Sequence, residues 1–319
     1  MAEFKNIKNR RLRRAAEYIT SPSRLTSLAV RIFTYAFLIT MSFIFLFPFL
    51  YMIVTSVKTN SELYDLTVNW IPRTLQWKNY TLAIKSLSIF DYLDNSIILT
   101  VLPTIGHILS CSLIGYGFAR FEFPGKKILF GIVILAFIVP TQTIIVPLYI
   151  LMSKFGWLNS FLPMIVPSFF GYGLKGALFI YIFRQFYMGL PKDLENAARI
   201  DGCGLFKTYM HIVLPVSSSS FMVTLVLSMV WHWNDYYEPS IYNSKTELRV
   251  VPSLLSTLVQ LVNNPPEEMF SGMEGTDIAI NNAVLMAGTF LTILPIVVAF
   301  AFLQRKFIEG IEKTGITGE

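Results

Sequence analysis

Long apolar runs that are almost free of charge are the feature that most constrains this 319-residue chain. A helix needs about 20 apolar residues to cross the ~30 Å hydrocarbon layer of a bilayer. Six runs of sufficient length occur, the fourth of them interrupted by one lysine: 32–57, 95–119, 128–153, 155–183, 208–234 and 278–304. Because 54% of the residues are hydrophobic and only 14% are charged, a soluble domain would expose too much apolar surface. The sequence therefore predicts an all-α, polytopic membrane protein with six transmembrane helices, several of them kinked by proline.

The distribution of Lys and Arg predicts the orientation of the chain. The two termini and every second loop together hold 18 Lys and Arg, whereas the alternate loops hold 7. Because basic loops stay on the cytoplasmic side, both termini are predicted to be cytoplasmic. The resulting division is a basic cytosolic arm (1–31), a membrane domain (32–304) and a cytosolic tail (305–319). The arm suits anionic lipid better than nucleic acid, which is not expected as a partner.

No constellation of residues in the sequence points to catalysis. The chain has no phosphate-binding glycine loop followed by Lys-Ser/Thr, no His-Glu-x-x-His and no Cys-x-x-Cys. Its two cysteines, Cys111 and Cys203, fall in a predicted span and a predicted cytosolic loop, so neither a disulfide nor a metal site is expected. We predict no enzymatic activity and no cofactor bound by this chain. If nucleotide drives its function, another chain must bind that nucleotide.

A polar segment, LPKDLENAARIDGCGLFKTYMHIVLP (190–215), interrupts the apolar pattern on the predicted cytoplasmic side. Pro191 and the acidic residues that follow it favour a helix over 191–200, supported by a Glu195–Arg199 pair at i, i+4. Leu194, Ala197, Ala198 and Asp201 recur at helical spacing and predict one face small enough for close contact with another surface. We expect Asp201 to cap a second short helix and Gly202 to allow a sharp turn between the two.

The spacing of residues within this segment carries a family resemblance. Asn196-Ala197-Ala198 is followed after three residues by Gly202, and after nine further residues by Ile212-Val213-Leu214-Pro215. This pattern resembles the EAA loop of permease subunits of bacterial ABC importers. Asn196 stands where that loop has Glu, although the adjacent Glu195 can supply a carboxylate.

Four further segments are similar to maltose-type carbohydrate permeases: WIPRTLQWKNYTLAI, IGYGFARFEFPGKK, WHWNDYYEPSIY and LQRKFIEGI. The resemblance implies a permease subunit of the bacterial cytoplasmic (inner) membrane that pairs with a second permease subunit. It also implies an ABC ATPase dimer that binds ATP and Mg, and an extracytoplasmic solute-binding protein that delivers a sugar, expected to be a di- or oligosaccharide. In that family the loop is the coupling helix, seated in a cleft on the ATPase. The resemblance assigns this coupling role to Glu195, Asn196, Ala197, Ala198, Asp201, Gly202 and Pro215.

Three sets of residues are candidates for the substrate pathway, and each has a second interpretation. Thr141, Gln142 and Thr143 lie between two prolines and either line a cavity or brace a kink. Lys175 lies within an apolar run and either faces the pathway, pairs with a partner subunit or extends to the membrane surface. Trp231, Trp233 and Asn234 end the fifth run, where they form either an interfacial belt or a rim that contacts a sugar or a binding protein. The acidic outer loop, 235–277, is either simply solvated or a docking surface for the binding protein.

Two other function classes fit the sequence less well. An ion-coupled secondary carrier would need paired membrane carboxylates or inverted repeats, but no Asp or Glu falls in any of the six runs. A membrane-embedded enzyme would need a nucleophile, a base or a metal site, and none is evident. Within the importer interpretation, a non-sugar solute remains the main alternative.

Overall fold

The computed structural model describes residues 22–65, 67, 70–264 and 280–316, and in these residues the chain is helical with short connections. Strands are absent from the described ranges, as the prediction of an all-α fold requires. The first seven helices are α1 (Pro22–Ser56), α2 (Asn60–Tyr64), α3 (Lys78–Leu87), α4 (Ile89–Arg120), α5 (Lys126–Ile138), α6 (Thr141–Lys154) and α7 (Leu162–Ile165).

Seven more helices follow a short 3₁₀ turn at Val166–Phe170. They are α8 (Gly176–Gly189), α9 (Asp193–Ile200), α10 (Leu205–Val216), α11 (Ser218–Asn234), α12 (Tyr237–Tyr242), α13 (Val251–Asn263) and α14 (Asn282–Ile316). Within α10, residues Tyr209–Val213 form a wider π turn.

Three of the described helices are long and apolar enough to cross a membrane unbroken: Val30–Ser56 within α1, Ile89–Arg120 and Asn282–Glu309 within α14. The pairs α5 and α6, and α10 and α11, pass the same test only when each pair is taken together, with bends of 103° and 75°. The prediction of membrane-spanning helices is therefore confirmed. The six predicted runs are not six unbroken helices, because the third and fifth runs are sharply bent and the fourth is divided into shorter elements.

The bend between α5 and α6 has a local cause in the sequence. Val139 and Pro140 both have extended backbone, with ψ of 120° and 133°. Proline lacks an N–H for the helical ladder and disfavours the α conformation in the residue before it. The predicted proline kink is therefore a break between two helices.

The fourth predicted run, 155–183, is not one continuous helix. Its first half contains α7 and the 3₁₀ turn, and the backbone has positive φ at Gly171, Gly173 and Lys175. Only after Lys175 does a regular helix, α8, begin, and it continues to Gly189. Lys175 therefore does not interrupt a helix; it precedes the first residue of one.

Helix α4 is central to the packing. It packs most extensively against α8, and it also contacts α11 and the 3₁₀ turn. Close approach to α8 depends on Gly115, since a Cβ built there would lie 2.7 Å from Phe183 Cβ and 3.0 Å from the Arg184 backbone nitrogen. At the far end of α4, the Asn95 amide donates to the carbonyl oxygens of Glu247 and Arg249.

The helix termini do not follow the predicted domain boundaries. Helix α1 begins at Pro22, inside the predicted arm, and α14 continues to Ile316, inside the predicted tail. Residues 1–21, the last part of the predicted acidic outer loop (265–277) and the last three residues lie outside the described residues.

Candidate coupling segment and membrane cavity

The helix–turn–helix predicted for the polar segment is present, with one change in its capping. Helix α9 covers Asp193–Ile200, close to the expected 191–200. Gly202 has φ of +78°, which glycine adopts readily, and the Cys203 N–H donates to the Ala198 carbonyl oxygen at 2.9 Å. Asp201 closes α9 and does not cap the next helix, which begins at Leu205 after Gly204. That part of the prediction was wrong because the glycine turn adds residues between the two helices.

Helix α9 has two different faces. Glu195 and Ala198, three residues apart, are buried against the rest of the chain with 5% and 3% exposure. Leu194, Asn196 and Ala197 are exposed on the opposite side. The prediction that Ala198 shares the outward face with Ala197 was wrong, because the buried Glu195 turns Ala198 inward with it.

The carboxylate of Glu195 forms a buried ion pair with Arg120 at the end of α4. Arg120 Nε lies 2.7 Å from Glu195 Oε1, and the two side chains are 5% and 7% exposed. The same guanidinium donates through Nη2 to the Leu190 carbonyl oxygen at 2.8 Å, and Tyr116 Oη donates to Glu195 Oε2 at 3.4 Å. The predicted i, i+4 pair with Arg199 is not formed, since the stronger, desolvated partner is Arg120.

Behind this ion pair lies a cluster of buried hydroxyl groups. The Ser112 hydroxyl bonds the Tyr187 hydroxyl at 2.8 Å and also that of Tyr209. The Tyr116 ring packs edge-on against Tyr187 and tilted against Tyr209, with centroids 5.6 and 5.1 Å away. These contacts join α4, α8 and α10 directly beneath α9.

Apolar side chains are exposed at the outer surface of the turn. Ile200 is 86% exposed, Phe206 65% and Leu205 50%. Large apolar side chains grouped on a surface commonly mark a contact with another protein. Together with Leu194 and Ala197 they form what we call the outward face of the coupling segment.

A second feature is a cavity of about 380 Å³ beside the break between α5 and α6. Thr141, Gln142 and Lys175 line it, so the structure brings together three residues that the sequence offered separately. The cavity also includes Asp235 and Glu238, which follow the end of α11. An adjoining cavity, also about 380 Å³, shares Thr141 and Glu238 and contains the rings of Tyr172 and Tyr242.

The two carboxyl groups at this cavity differ in what they contact. Asp235 Oδ1 accepts hydrogen bonds from the backbone N–H groups of Tyr237 and Glu238, which fixes the start of α12. Burial, reinforced by the nearby Asp235, raises the pKa of the Glu238 carboxyl to about 8. Glu238 is therefore mainly protonated at neutral pH and can both donate and accept a hydrogen bond.

The remaining pathway candidates lie apart from this cavity lining. Thr143 donates to the Pro140 carbonyl oxygen and Asn234 to that of Val230, so both bond their own helices. Trp233 is buried and donates to the Thr292 carbonyl oxygen at 3.0 Å. Trp231 packs against Phe179, and Lys175 Nζ lies 5.6 Å from its ring centroid. The cation–π contact with Trp231 therefore accounts for the position of the Lys175 ammonium group, which forms no ion pair with a carboxylate of the described residues.

Sequence reasoning missed Arg120 and Glu238 as candidate residues. Arg120 lies in the quoted segment IGYGFARFEFPGKK, but its partner is 75 residues away along the chain. The sequence also gave no indication that two buried histidines, His107 in α4 and His232 in α11, lie in contact. Their ring nitrogens are 3.3 Å apart. The sequence signal for this pair is weak, because buried polar groups between membrane helices commonly hold helices together.

The described residues thus form a helical domain without strands that presents a short helix–turn–helix beside the end of α4. Residues 111–312 match the family described as "binding-protein-dependent transport system inner membrane component". The chain belongs to this family, which confirms the resemblance drawn from the polar segment. It is a multi-pass membrane subunit of a transport system.

Several curated relatives align over nearly their whole length. The chain is 29% identical over 285 residues to the arabinooligosaccharides transport system permease protein AraQ of Bacillus subtilis, covering 88% of this chain and 94% of that protein. It is 28% identical to the probable starch degradation products permease AmyC of Thermoanaerobacterium thermosulfurigenes, covering 86% and 92%. It is 26% identical to the lactose permease protein LacG of Rhizobium radiobacter, covering 86% and 93%.

A solved structure shows the same fold. A chain from a bacterial ABC transporter involved in the import of the acidic polysaccharide alginate superposes with a TM-score of 0.74. The match covers 88% of this chain and 98% of that chain at 18% identity. At this identity the likeness supports the fold and not the substrate.

Proposed function

We propose that this chain is a permease subunit of an ATP-driven importer that moves a saccharide into the cytoplasm. The observation that carries the proposal is the coupling segment, a helix with an exposed face held on a buried ion pair, in a chain of this transport family. Relatives named for arabinooligosaccharides, starch degradation products and lactose support a saccharide as the solute. A di- or oligosaccharide fits these names best.

The outward face of the coupling segment is proposed to dock on a partner ATPase. Its exposed apolar side chains, Ile200, Leu205 and Phe206, suit a cleft on another protein. When ATP binding changes the separation of two ATPase subunits, a docked helix moves with its subunit. The membrane helices then alternate between outward and inward access. ATP and Mg are bound by the ATPase partners, and this chain supplies no nucleotide site.

The wider assembly follows from the same proposal. A second permease subunit would complete the pathway, and an extracytoplasmic binding protein would deliver the solute. Both termini would be cytoplasmic, as the excess of Lys and Arg indicates. The coupling segment then lies on the side where ATP is available.

The paired cavities beside the α5–α6 break are proposed to contact the solute. Thr141 and Gln142 offer hydroxyl and amide groups, and Glu238 offers a carboxyl that is not hydrogen-bonded by its neighbours in the described chain. The rings of Tyr172 and Tyr242 lie in the adjoining cavity. Hydrogen-bonding groups beside aromatic rings suit a polyhydroxylated ring with apolar C–H faces.

We expect Glu238→Leu to raise the KM for solute uptake about 5-fold or more. Leucine is similar in size but removes the hydrogen-bonding carboxyl, and one lost hydrogen bond of about 1 kcal/mol corresponds to roughly a 5-fold loss of affinity. The readout is uptake at graded concentrations of solute in proteoliposomes. Ser256→Ala, on the exposed side of α13, is the control and should leave KM unchanged. An unchanged KM for Glu238→Leu would remove these cavities from the solute route.

Affinity purification in mild detergent tests the proposed function as a whole. The tagged chain should bring with it a P-loop ATPase and a second permease in comparable amounts. The purified complex in proteoliposomes, with its binding protein and ATP, should accumulate saccharide. Recovery of the chain alone, with uptake driven by an ion gradient and not by ATP, would favour the secondary carrier. ATP-driven uptake of a non-sugar solute would leave the importer intact and reject the saccharide.

A further inference from the structure

The buried pair Arg120–Glu195 differs from the other ion pairs in the described chain. In each of those, at least one side chain is exposed by a third or more: Arg73–Asp65, Lys126–Glu122 and Arg305–Glu309. Solvent screens exposed ion pairs, so they contribute little to stability. A desolvated pair is hard to break because separation leaves a buried charge. Arg120 and Glu195 therefore hold their two helices in one relative position.

The guanidinium group fixes more than one part of the coupling segment. Its Nε atom bonds Glu195 in α9, while its Nη2 atom bonds the Leu190 carbonyl oxygen in the link from α8 to α9. Arginine can make both bonds at once because its donors lie in a rigid planar fork. A lysine at this position would keep the charge but offer a single donor atom.

The residues that surround this ion pair are themselves tightly packed. Tyr116, one turn before Arg120 on α4, contacts Glu195, Tyr187 and Tyr209. The three tyrosines belong to one buried cluster that spans α4, α8 and α10. Helix α4 continues from there through the whole membrane domain to the contact of Asn95 with the outer loop. Displacement of α9 would therefore displace α4.

We propose that Arg120 and Glu195 are positioning residues that couple the coupling helix to α4, so that motion of the ATPase partner reaches the membrane pathway. The outward face of α9 contacts the partner, and the inward face transmits the displacement. This proposal rests on the proposed importer function. It predicts that loss of the pair uncouples ATP hydrolysis from transport and does not merely weaken binding of the ATPase.

The experiment compares wild type with Arg120→Lys, Glu195→Gln and the matched control Glu122→Gln. The control removes a carboxylate whose side chain is 89% exposed and paired with Lys126 at 2.9 Å, close to Arg120 in sequence. Solute uptake and ATP hydrolysis are measured on the same proteoliposomes, with binding protein present. For Arg120→Lys and Glu195→Gln we expect the ATPase to co-purify and hydrolyse ATP while solute moved per ATP falls at least 10-fold. Glu122→Gln should keep the wild-type ratio, and a wild-type ratio in Arg120→Lys would overturn the proposal.

A second measurement decides the case if these variants fail to assemble. Spin labels are attached to cysteines introduced by Asp193→Cys, at the start of α9, and Glu122→Cys, just after α4. The labelled complex also carries Cys203→Ser and keeps Arg120 and Glu195. The distance between the labels should be the same without nucleotide and with trapped ATP, because the two helices move together. A distance that changes between these states would overturn the proposal. Absence of any ATPase partner or of ATP-driven uptake in wild type would instead reject the proposed function.

Discussion

Ala197→Trp should reduce ATP-driven uptake at least 100-fold while the protein still inserts into the membrane. Ala197 is exposed on the outward face of α9, beside Leu194, so the indole has space in the isolated chain. In the proposed complex the wall of the ATPase cleft would occupy the same space, so the added ring would keep α9 from seating in the cleft. Uptake in proteoliposomes and the amount of co-purified ATPase check the prediction. Normal uptake would contradict docking through this face.

The neighbouring alanine provides a sharp contrast. Ala198 is 3% exposed and lies on the buried side of α9 with Glu195. A bulky residue there would displace α9 from its own chain, so Ala198→Trp should lower the amount of folded protein as well as uptake. Ala301→Trp, on an exposed side of α14, controls for the added ring and should assemble with the ATPase as wild type does. Equal behaviour of the Ala197 and Ala198 variants would contradict the two-faced arrangement.

The sequence predicted the helix–turn–helix because its signals are local. Acidic residues in the first turn, the positive-φ glycine and the helical spacing are all set by residues close together in the chain. The direction in which each face points is not local, since it depends on Arg120, which lies 75 positions from Glu195. Helical spacing alone therefore grouped Ala198 with Ala197, although only one of them faces outward.

For the six apolar runs, composition was likewise predictive and the detailed backbone geometry was not. Apolar content predicted which parts of the chain lie in the membrane, and the matching family confirms a multi-pass subunit. It did not predict that the run before Lys175 folds into short helices and turns, because positive φ at Gly171 and Gly173 ends helices irrespective of hydropathy. The cavity that joins Thr141, Gln142 and Lys175 arises from this irregular backbone and from the break at Pro140. Irregular backbone at membrane depth is tolerated where it is buried in protein or lines a cavity.

The contact between α4 and α8 should be the part of the fold least tolerant of added volume. A Cβ at Gly115 would lie 2.7 Å from Phe183 Cβ and 3.0 Å from a backbone nitrogen, and neither atom can rotate away as a flexible side chain would. Overpacking of this kind costs about 1–3 kcal/mol. Because these helices also carry the base of the coupling segment, the loss should affect uptake as well as stability.

Gly115→Ala should therefore shorten the half-life of the detergent-solubilised complex at elevated temperature at least 5-fold, and Gly115→Leu should prevent accumulation of folded protein. Gly117, two residues further along the same helix, is the matched control because, apart from its chain neighbours and the backbone of its own helix, no atom lies within 4 Å of a Cβ built there. Gly117→Ala should equal or exceed wild type, since alanine is favoured over glycine in a helix by about 1 kcal/mol. The measurement is the fraction of monodisperse complex that survives heating, followed by size-exclusion chromatography. If both alanine variants survive equally, α4 and α8 are not in the close contact that Gly115 permits, and the buried base beneath Arg120 and Glu195 would be looser than the structure shows.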